Sequence, residues 1–477
     1  MATHNLRICL HKSIALSLLI ALTLMSFLIT LKPALSSTSL TENTWMSKAP
    51  MNQAREGLGV AAANGNIYAI GGFSFQGGIG GTNEEFSPAT DNWTIKASMP
   101  TSRAFFAIAA CQDKIYCIGG TKDFSGFSNA NEAYNPTTDS WETKAPMPTA
   151  RAGMQANVIN DKIYLTGGMD STHVLSNVNE VYDPANNSWT TKAAMPYATG
   201  EASAVINNKI YSFGTYYNYS NHDSFSVTQI YNPDTDTWSK GTAPPDNHFG
   251  GEYGASGAAA STTGIIAPKR IYVFCGSYDG SPLQIYNPQN DSWILSPNPP
   301  INPNCGVGVL NDMIYFIGGY ALIFPNLWSE PVDTIYASNE QYIPFGYGTV
   351  PPEISIASPS SMNYTTNQVA LNFTVNKPFS WVGYSLDGKE NVTITGNTTL
   401  TGLSSGEHRI TVYAKDAFNN TGASETITFT IAPEPLPTIP IIIASATIVS
   451  AVGVTLIIYL KKYRANRKIK GNIKSLV

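Results

Sequence analysis

Three arginines, Arg55, Arg103 and Arg151, stand 48 residues apart, so a fold built on that period places them at equivalent points. A guanidinium is planar and always charged, and it grips carboxylates in two-pronged fashion. Later copies of the position carry Thr199, His248 and Asn302 or Pro303. Aromatic residues gather at a second repeat position: Phe73 and Phe75, Phe124 and Phe127, Tyr216, Tyr217 and Tyr219, Phe324 and Trp328. Cations beside aromatic rings suit an anionic sugar or an acidic peptide. The candidate ligand-binding residues are therefore Arg55, Arg103, Arg151, His248, Tyr216, Tyr217 and Trp328. The competing role for each arginine is structural, pairing with backbone carbonyls of a neighbouring repeat. Of the six histidines, His4 and His11 lie near the N-terminus, and His173, His222, His248 and His408 show no metal-ligand spacing. With no Gly-x-Ser-x-Gly or phosphate-loop pattern either, no catalytic residue, metal or cofactor is expected.

The elements that position these residues repeat. Trp45, Trp93, Trp141 and Trp189 recur every 48 residues, followed by Trp238 and Trp293. Between them run Ile67-Tyr-Ala-Ile-Gly-Gly72, Ile115-Tyr-Cys-Ile-Gly-Gly120 and Ile163-Tyr-Leu-Thr-Gly-Gly168, with later copies at Ile210, Ile271 and Ile314. Before each later Trp comes a run such as Ala133-Tyr-Asn-Pro136 or Val181-Tyr-Asp-Pro184. A fixed period of this length signals a repeat architecture. Gly, Pro, Asn, Ser and Thr abound, only 13% of residues are charged, and no long amphipathic helical run occurs between Ser37 and Pro437. The expected class is all-β.

These motifs closely resemble the kelch repeat over Thr41 to Pro344. The resemblance implies a β-propeller of six blades with four strands, a to d, in each. Because a d-type strand at Trp45 precedes the first full unit, and the last unit has no Trp, the N-terminal strand is expected to complete the sixth blade. Closure of that kind removes exposed sheet edges. The a–b turns (Asn64-Gly65, Gln112-Asp113, Asn160-Asp161) are short, whereas the b–c loops are long and varied. The face bearing the b–c and d–a loops is where a ligand is expected, since loops on a rigid scaffold carry function. The resemblance also places the Arg position near the central funnel. Kelch propellers that oxidise sugars or mutarotate sialic acid share the fold, but none of their motifs maps onto this chain. Three sequons, Asn92, Asn186 and Asn290, fall on c–d turns, the opposite face.

Pro351 to Ile431 carries alternating runs at Val369–Val375, His408–Ala414 and Glu425–Ile431, separated by turn residues. It resembles the immunoglobulin-like modules of prokaryotic surface proteins, so a small β-sandwich is expected. Residues 14–31 are apolar, follow Arg7 and Lys12, and precede small residues, the layout of a secretory signal. Residues 439–460 are uncharged and are followed by Lys461, Lys462 and Arg464. At about 1.5 Å per residue they reach across a bilayer core, and the basic tail belongs on the cytoplasmic side. The expected order is signal peptide 1–36, six-bladed propeller 41–345, immunoglobulin-like sandwich 350–432, Pro-rich linker 433–438, transmembrane helix 439–460 and basic tail 461–477.

Ten of the 28 basic residues lie in the two ends, so 18 face 33 acids between them. An acidic ectodomain excludes general binding to nucleic-acid backbones. The sequence therefore reads as a membrane-anchored extracellular binding protein. Its expected partners are a surface glycan or protein and, through residues 439–460, the membrane. The alternatives are an extracellular sugar-modifying enzyme and a structural envelope component.

Overall fold

The computed structural model describes residues 40–199, 202–218, 223–245, 258–274, 282–296, 300, 302–323, 332–433 and 452–464. The chain divides into two compact units, Met1–Gly348 and Thr349–Val477.

The first unit holds six four-stranded antiparallel sheets among the described residues. The first sheet is Gly59–Ala63, Asn66–Ile70, Asn83–Ser87 and Asn92–Lys96; the second is Ala107–Cys111, Lys114–Ile118, Asn131–Asn135 and Ser140–Thr143. The third is Ala156–Ile159, Lys162–Thr166, Asn179–Asp183 and Ser188–Thr191. The fourth is Ala202–Ile206, Lys209–Asn218, Asp223–Asn232 and Thr237–Gly241. The fifth is Ala258–Ser261, Ile271–Phe274, Gln284–Asn287 and Ser292–Leu295. In the sixth, Gly306–Leu310, Met313–Ile317 and Asn339–Ile343 take Thr44–Ser47 as the outer strand, with Trp45 opposite Tyr342. First strands of successive sheets neighbour one another around a circle, and the sixth returns to the first. This arrangement is a β-propeller.

Local chemistry explains the strands. In every sheet but the fifth, the hairpin between first and second strands turns on two residues with positive φ, as at Asn64 and Gly65 or Asn160 and Asp161. That is the type I′ geometry whose twist matches paired strands. In the second sheet it sets Cys117 opposite Ile108, so Cys111 and Cys117 do not face each other. Cys111, Cys117 and Cys305 are free thiols, while Cys275 lies outside the described residues. The Gly-Gly pair ends the second strand where sheets approach: a Cβ on Gly71 would sit 2.6 Å from Arg103 O and 2.6 Å from the Phe106 ring.

A recurring clasp joins each sheet to the chain leaving the sheet before it. Trp93 Nε1 donates to Ala49 O at 2.7 Å, and Ala49 N donates to Asp91 Oδ1 at 3.0 Å. Trp141 and Asp139 hold Ala97 the same way, as do Trp189 and Asn187 on Ala145, Trp238 and Asp236 on Ala193, and Trp293 and Asp291 on Thr242. The turn residue has φ near +50° in each case, a conformation Asp and Asn tolerate. In the second to fifth sheets its carboxylate or amide also accepts from the buried tyrosine of its own sheet, as Asp139 does from Tyr134 at 2.7 Å. The Trp and Asp of the repeat are therefore cement between sheets.

The second unit is also β. Ile354–Ser358, Val369–Val375 and Thr398–Leu400 form one sheet. The other contains Asn363–Tyr364, Ile427–Ile431, Gly406–Lys415, Trp381–Leu386, Val392–Ile394 and Thr421–Ala423. Leu371 and Phe373 from the first and Val382, Ile410, Val412 and Phe429 from the second share one core. Burial alternates along Val369–Val375, as the sequence pattern requires. Residues 452–464 are helical; no helix of the described residues is long and apolar enough to cross a membrane. The expected signal peptide, most of the linker, the first part of the expected span and most of the tail lie outside the described residues.

Candidate ligand face and its buried ion pairs

The three arginines do not form an open arc. Arg55, Arg103 and Arg151 are 1%, 0% and 0% exposed. Each precedes the first strand of its sheet and turns inward. Their Nη2 groups meet Glu84, Glu132 and Glu180 at 2.9, 2.8 and 2.8 Å. Their Nη1 groups donate to carbonyls freed where Gly-Gly breaks the second strand: Gly71 and Thr82 at 2.7 and 2.9 Å, Gly119 and Ala130 at 2.7 and 3.2 Å, and Gly167 and Val178. The expectation that these guanidinium groups contact a ligand is therefore corrected. The carbonyls they satisfy belong to their own sheet, not to the next one. Burial lowers the Arg55 pKa, while the Glu84 carboxylate works in the opposite direction.

The fourth sheet performs the same task without charge. Thr199 replaces Arg and Gln229 replaces Glu. Gln229 accepts from Tyr197 N at 2.9 Å and donates to Tyr197 O at 3.0 Å. An amide can thus tie down this loop when no guanidinium is present.

Of the remaining candidates, His248 and Trp328 lie outside the described residues, as do Tyr219 and Phe324. Tyr217 lies on the strand Lys209–Asn218. Tyr216 packs its ring 5.1 Å from Tyr197 and 5.3 Å from Phe225. The aromatics of the first two loops also meet: Phe73 lies 5.3 Å from Phe124 and 5.7 Å from Phe75, and Phe124 lies 6.3 Å from Phe105. Phe75 is exposed at the edge of this group. The structure thus gathers the aromatics into two separate clusters and takes the arginines out of both.

Sequence reasoning missed the inside of the ring. A cavity of about 420 Å³ runs along the first strands of the sheets. Leu58, Val60, Phe106 and Ile108 line one side; Gln155, Asn157, Ser203, Ser261 and Asn304 bring polar groups. Among the described residues that line it, none has a charged side chain. Gln155 reaches across sheets: its Oε1 accepts from Ser203 N at 2.6 Å and its Nε2 donates to Ala259 O at 3.3 Å. Asn304 donates to Glu56 Oε2 at 2.8 Å. Burial pushes the Cys305 thiol on this wall up to about 12. Nothing in a single repeat marks these positions, because the residues differ from sheet to sheet.

The kelch motif matches residues 54–100, 102–148 and 150–196, and a second form of it matches residues 202–245. The four matched stretches lie within the first unit. Against halomucin of Haloquadratum walsbyi it is 40% identical over 98 residues, which is 19% of this chain and 1% of that protein. The chain therefore spans only about 1% of that relative's length. The solved structure of YjhT is similar at 18% identity with a TM-score of 0.46, covering 60% of this chain and 95% of that one. Among the described residues no cluster of His, Cys, Asp or Glu could hold a metal ion.

Proposed function

We propose that the protein is a membrane-anchored extracellular binding protein whose six-bladed propeller recognises a protein or glycan through its loop-bearing face. One observation carries this reading. The charged residues that repeat are consumed by the frame, while the b–c connections on the loop face differ from sheet to sheet. Those connections include an exposed Phe75, the small hairpin Tyr320–Ile323 with Val332–Ile335, and the long hairpin Lys209–Asn218 with Asp223–Asn232. A rigid ring with variable loops is built for recognition. In this reading residues 1–36 direct export, residues 439–460 anchor the chain, and the second unit is an immunoglobulin-like stalk.

The test is capture. The full chain in detergent, immobilised through its C-terminus, is screened against a glycan array and against surface extracts. Retention of a ligand that is lost when Phe73, Phe75 and Phe124 are replaced by Ser supports the loop face. Absence of any ligand across both screens refutes the reading. The uncharged cavity supports a second reading, a sugar-modifying enzyme acting on a small neutral molecule; a Gln155→Leu variant that loses turnover of a neutral sugar would favour it.

A further inference from the structure

The fourth sheet departs from the others at one point. Where the first, second, third and sixth repeats have Gly-Gly and the fifth has Cys275-Gly276, it has Gly214-Thr215, and the second and third strands run on for ten residues each. Its outer strand stops at Gly241, opposite Thr228. Beyond that rung the third strand has no outer neighbour strand, and a pocket of about 180 Å³ opens against it. Tyr197, Phe225, Ser226, Val227, Lys240 and Ala243 are on its wall.

Three features give this pocket a chemistry. Tyr197, Tyr216 and Phe225 form a packed trio with ring centroids 5.1 to 5.5 Å apart, and Phe225 is 42% exposed. Lys240 Nζ lies 4.9 Å from the Tyr197 ring centroid and donates to Tyr197 Oη at 2.8 Å. Among the described residues no carboxylate pairs with Lys240, unlike Lys96, Lys114, Lys144 and Lys162 in the first three sheets. Ser226 Oγ also has no partner among the described residues. An ammonium carries three donors, and Tyr197 takes one.

We propose that this pocket is a subsite for a carboxylate-bearing pyranose, that is, an acidic sugar residue. It deepens, and rests on, the reading of the chain as a binding protein. The exposed ring of Phe225 offers an apolar face to the C–H face of the sugar. The two remaining Lys240 donors take the carboxylate. The pocket has room for a single pyranose and is not an open groove, which favours a sugar over an extended acidic peptide. A neutral sugar would leave the ammonium without its counter-charge.

The experiment is saturation-transfer NMR on the full chain in detergent, with methyl glucuronide, methyl glucoside and the peptide acetyl-Asp-Asp-Asp amide as probes. Methyl glucuronide is expected to bind saturably, and an equal excess of methyl glucoside is expected not to displace it. Lys240→Gln is expected to weaken it about ten- to a hundredfold, the value of one charge-assisted hydrogen bond, and Phe225→Ser to weaken it through loss of the apolar face. Lys96→Gln, on the first sheet, is the control and leaves binding unchanged. Both test positions are at the surface, and an unchanged melting curve shows that the variants fold. Binding that survives Lys240→Gln overturns the proposal, as do equal binding of the glucoside, preference for the peptide, or no saturable binding of any probe. If the loop face captures a ligand on the array while methyl glucuronide does not bind the parent chain, the binding reading stands and this subsite falls.

Discussion

The buried pair Arg103–Glu132 lends itself to a quantitative test. Glu132 accepts from Arg103 Nη2 at 2.8 Å and from Thr101 Oγ1 at 2.7 Å, and both partners of the ion pair are almost wholly buried. Removing one member leaves a charge without its counter-ion in a dry site, a loss of about 3 to 5 kcal/mol. Glu132→Gln keeps the shape but not the charge, so Arg103 is left in that position. At roughly 2 °C per kcal/mol for a unit of this size, the melting temperature should fall by about 6 to 10 °C. The fourth sheet indicates the cure. There Thr199 and Gln229 occupy these positions, and the amide holds Tyr197 by both its N and its O. The double variant Arg103→Thr, Glu132→Gln reproduces that arrangement around Thr101. It should melt higher than Glu132→Gln alone, with a coupling of at least 1 kcal/mol in a double-mutant cycle. Differential scanning calorimetry of the three variants and the parent measures it. A Glu132→Gln melting temperature within 1 °C of the parent, or additive losses in the double variant, would refute the argument that these groups are a frame.

Three other outcomes follow from the geometry. Deleting residues 40–50 removes the outer strand of the sixth sheet and should expose Asn339–Ile343; amide exchange there should quicken while the third sheet stays protected, and equal protection in both would contradict closure by Thr44–Ser47. In the second unit, His408 gives Nδ1 to Asp387 at 2.8 Å and Nε2 to Ser404 O at 2.8 Å. Burial opposes the charged ring, but the Ser404 carbonyl and Asp387 more than offset it, so its pKa is raised. A raised pKa means stability present below about 6.5, the unfolded value, and lost as pH rises through the folded one. The His408 ring proton should therefore titrate above about 6.5, and a midpoint at or below that value would show that the pair is not formed. Burial also pushes the Cys111 thiol up to about 11 and Cys117 and Cys305 up to about 12, so alkylation of the native chain at pH 8 should leave these three unmodified until denaturant is added.

Much of the frame was legible because its parts recur. The Trp spacing, the Ile-Tyr runs and the two-residue turns each encode a bond or a register that every sheet needs, and repetition makes such a signal visible in one sequence. The same property misleads about the site. Arg55, Arg103 and Arg151 stand at one repeat position because three loops need the same carbonyls satisfied, and their burial follows from the Gly-Gly break beside them. A ligand contacts the ring at one place, so its residues need not recur. Gln155, Asn304, Tyr197, Phe225 and Lys240 have no counterpart to compare with, and their partners come from elements far apart in sequence: Lys240 meets Tyr197 across 43 residues and Gln155 meets Ala259 across 104. One local sign was present. The replacement of the second Gly by Thr215 removes the break that ends the second strand elsewhere, and the aromatic run beyond it continues as a strand. In a repeat protein the departures from the consensus, and not the charged positions that obey it, are where a binding site should first be sought.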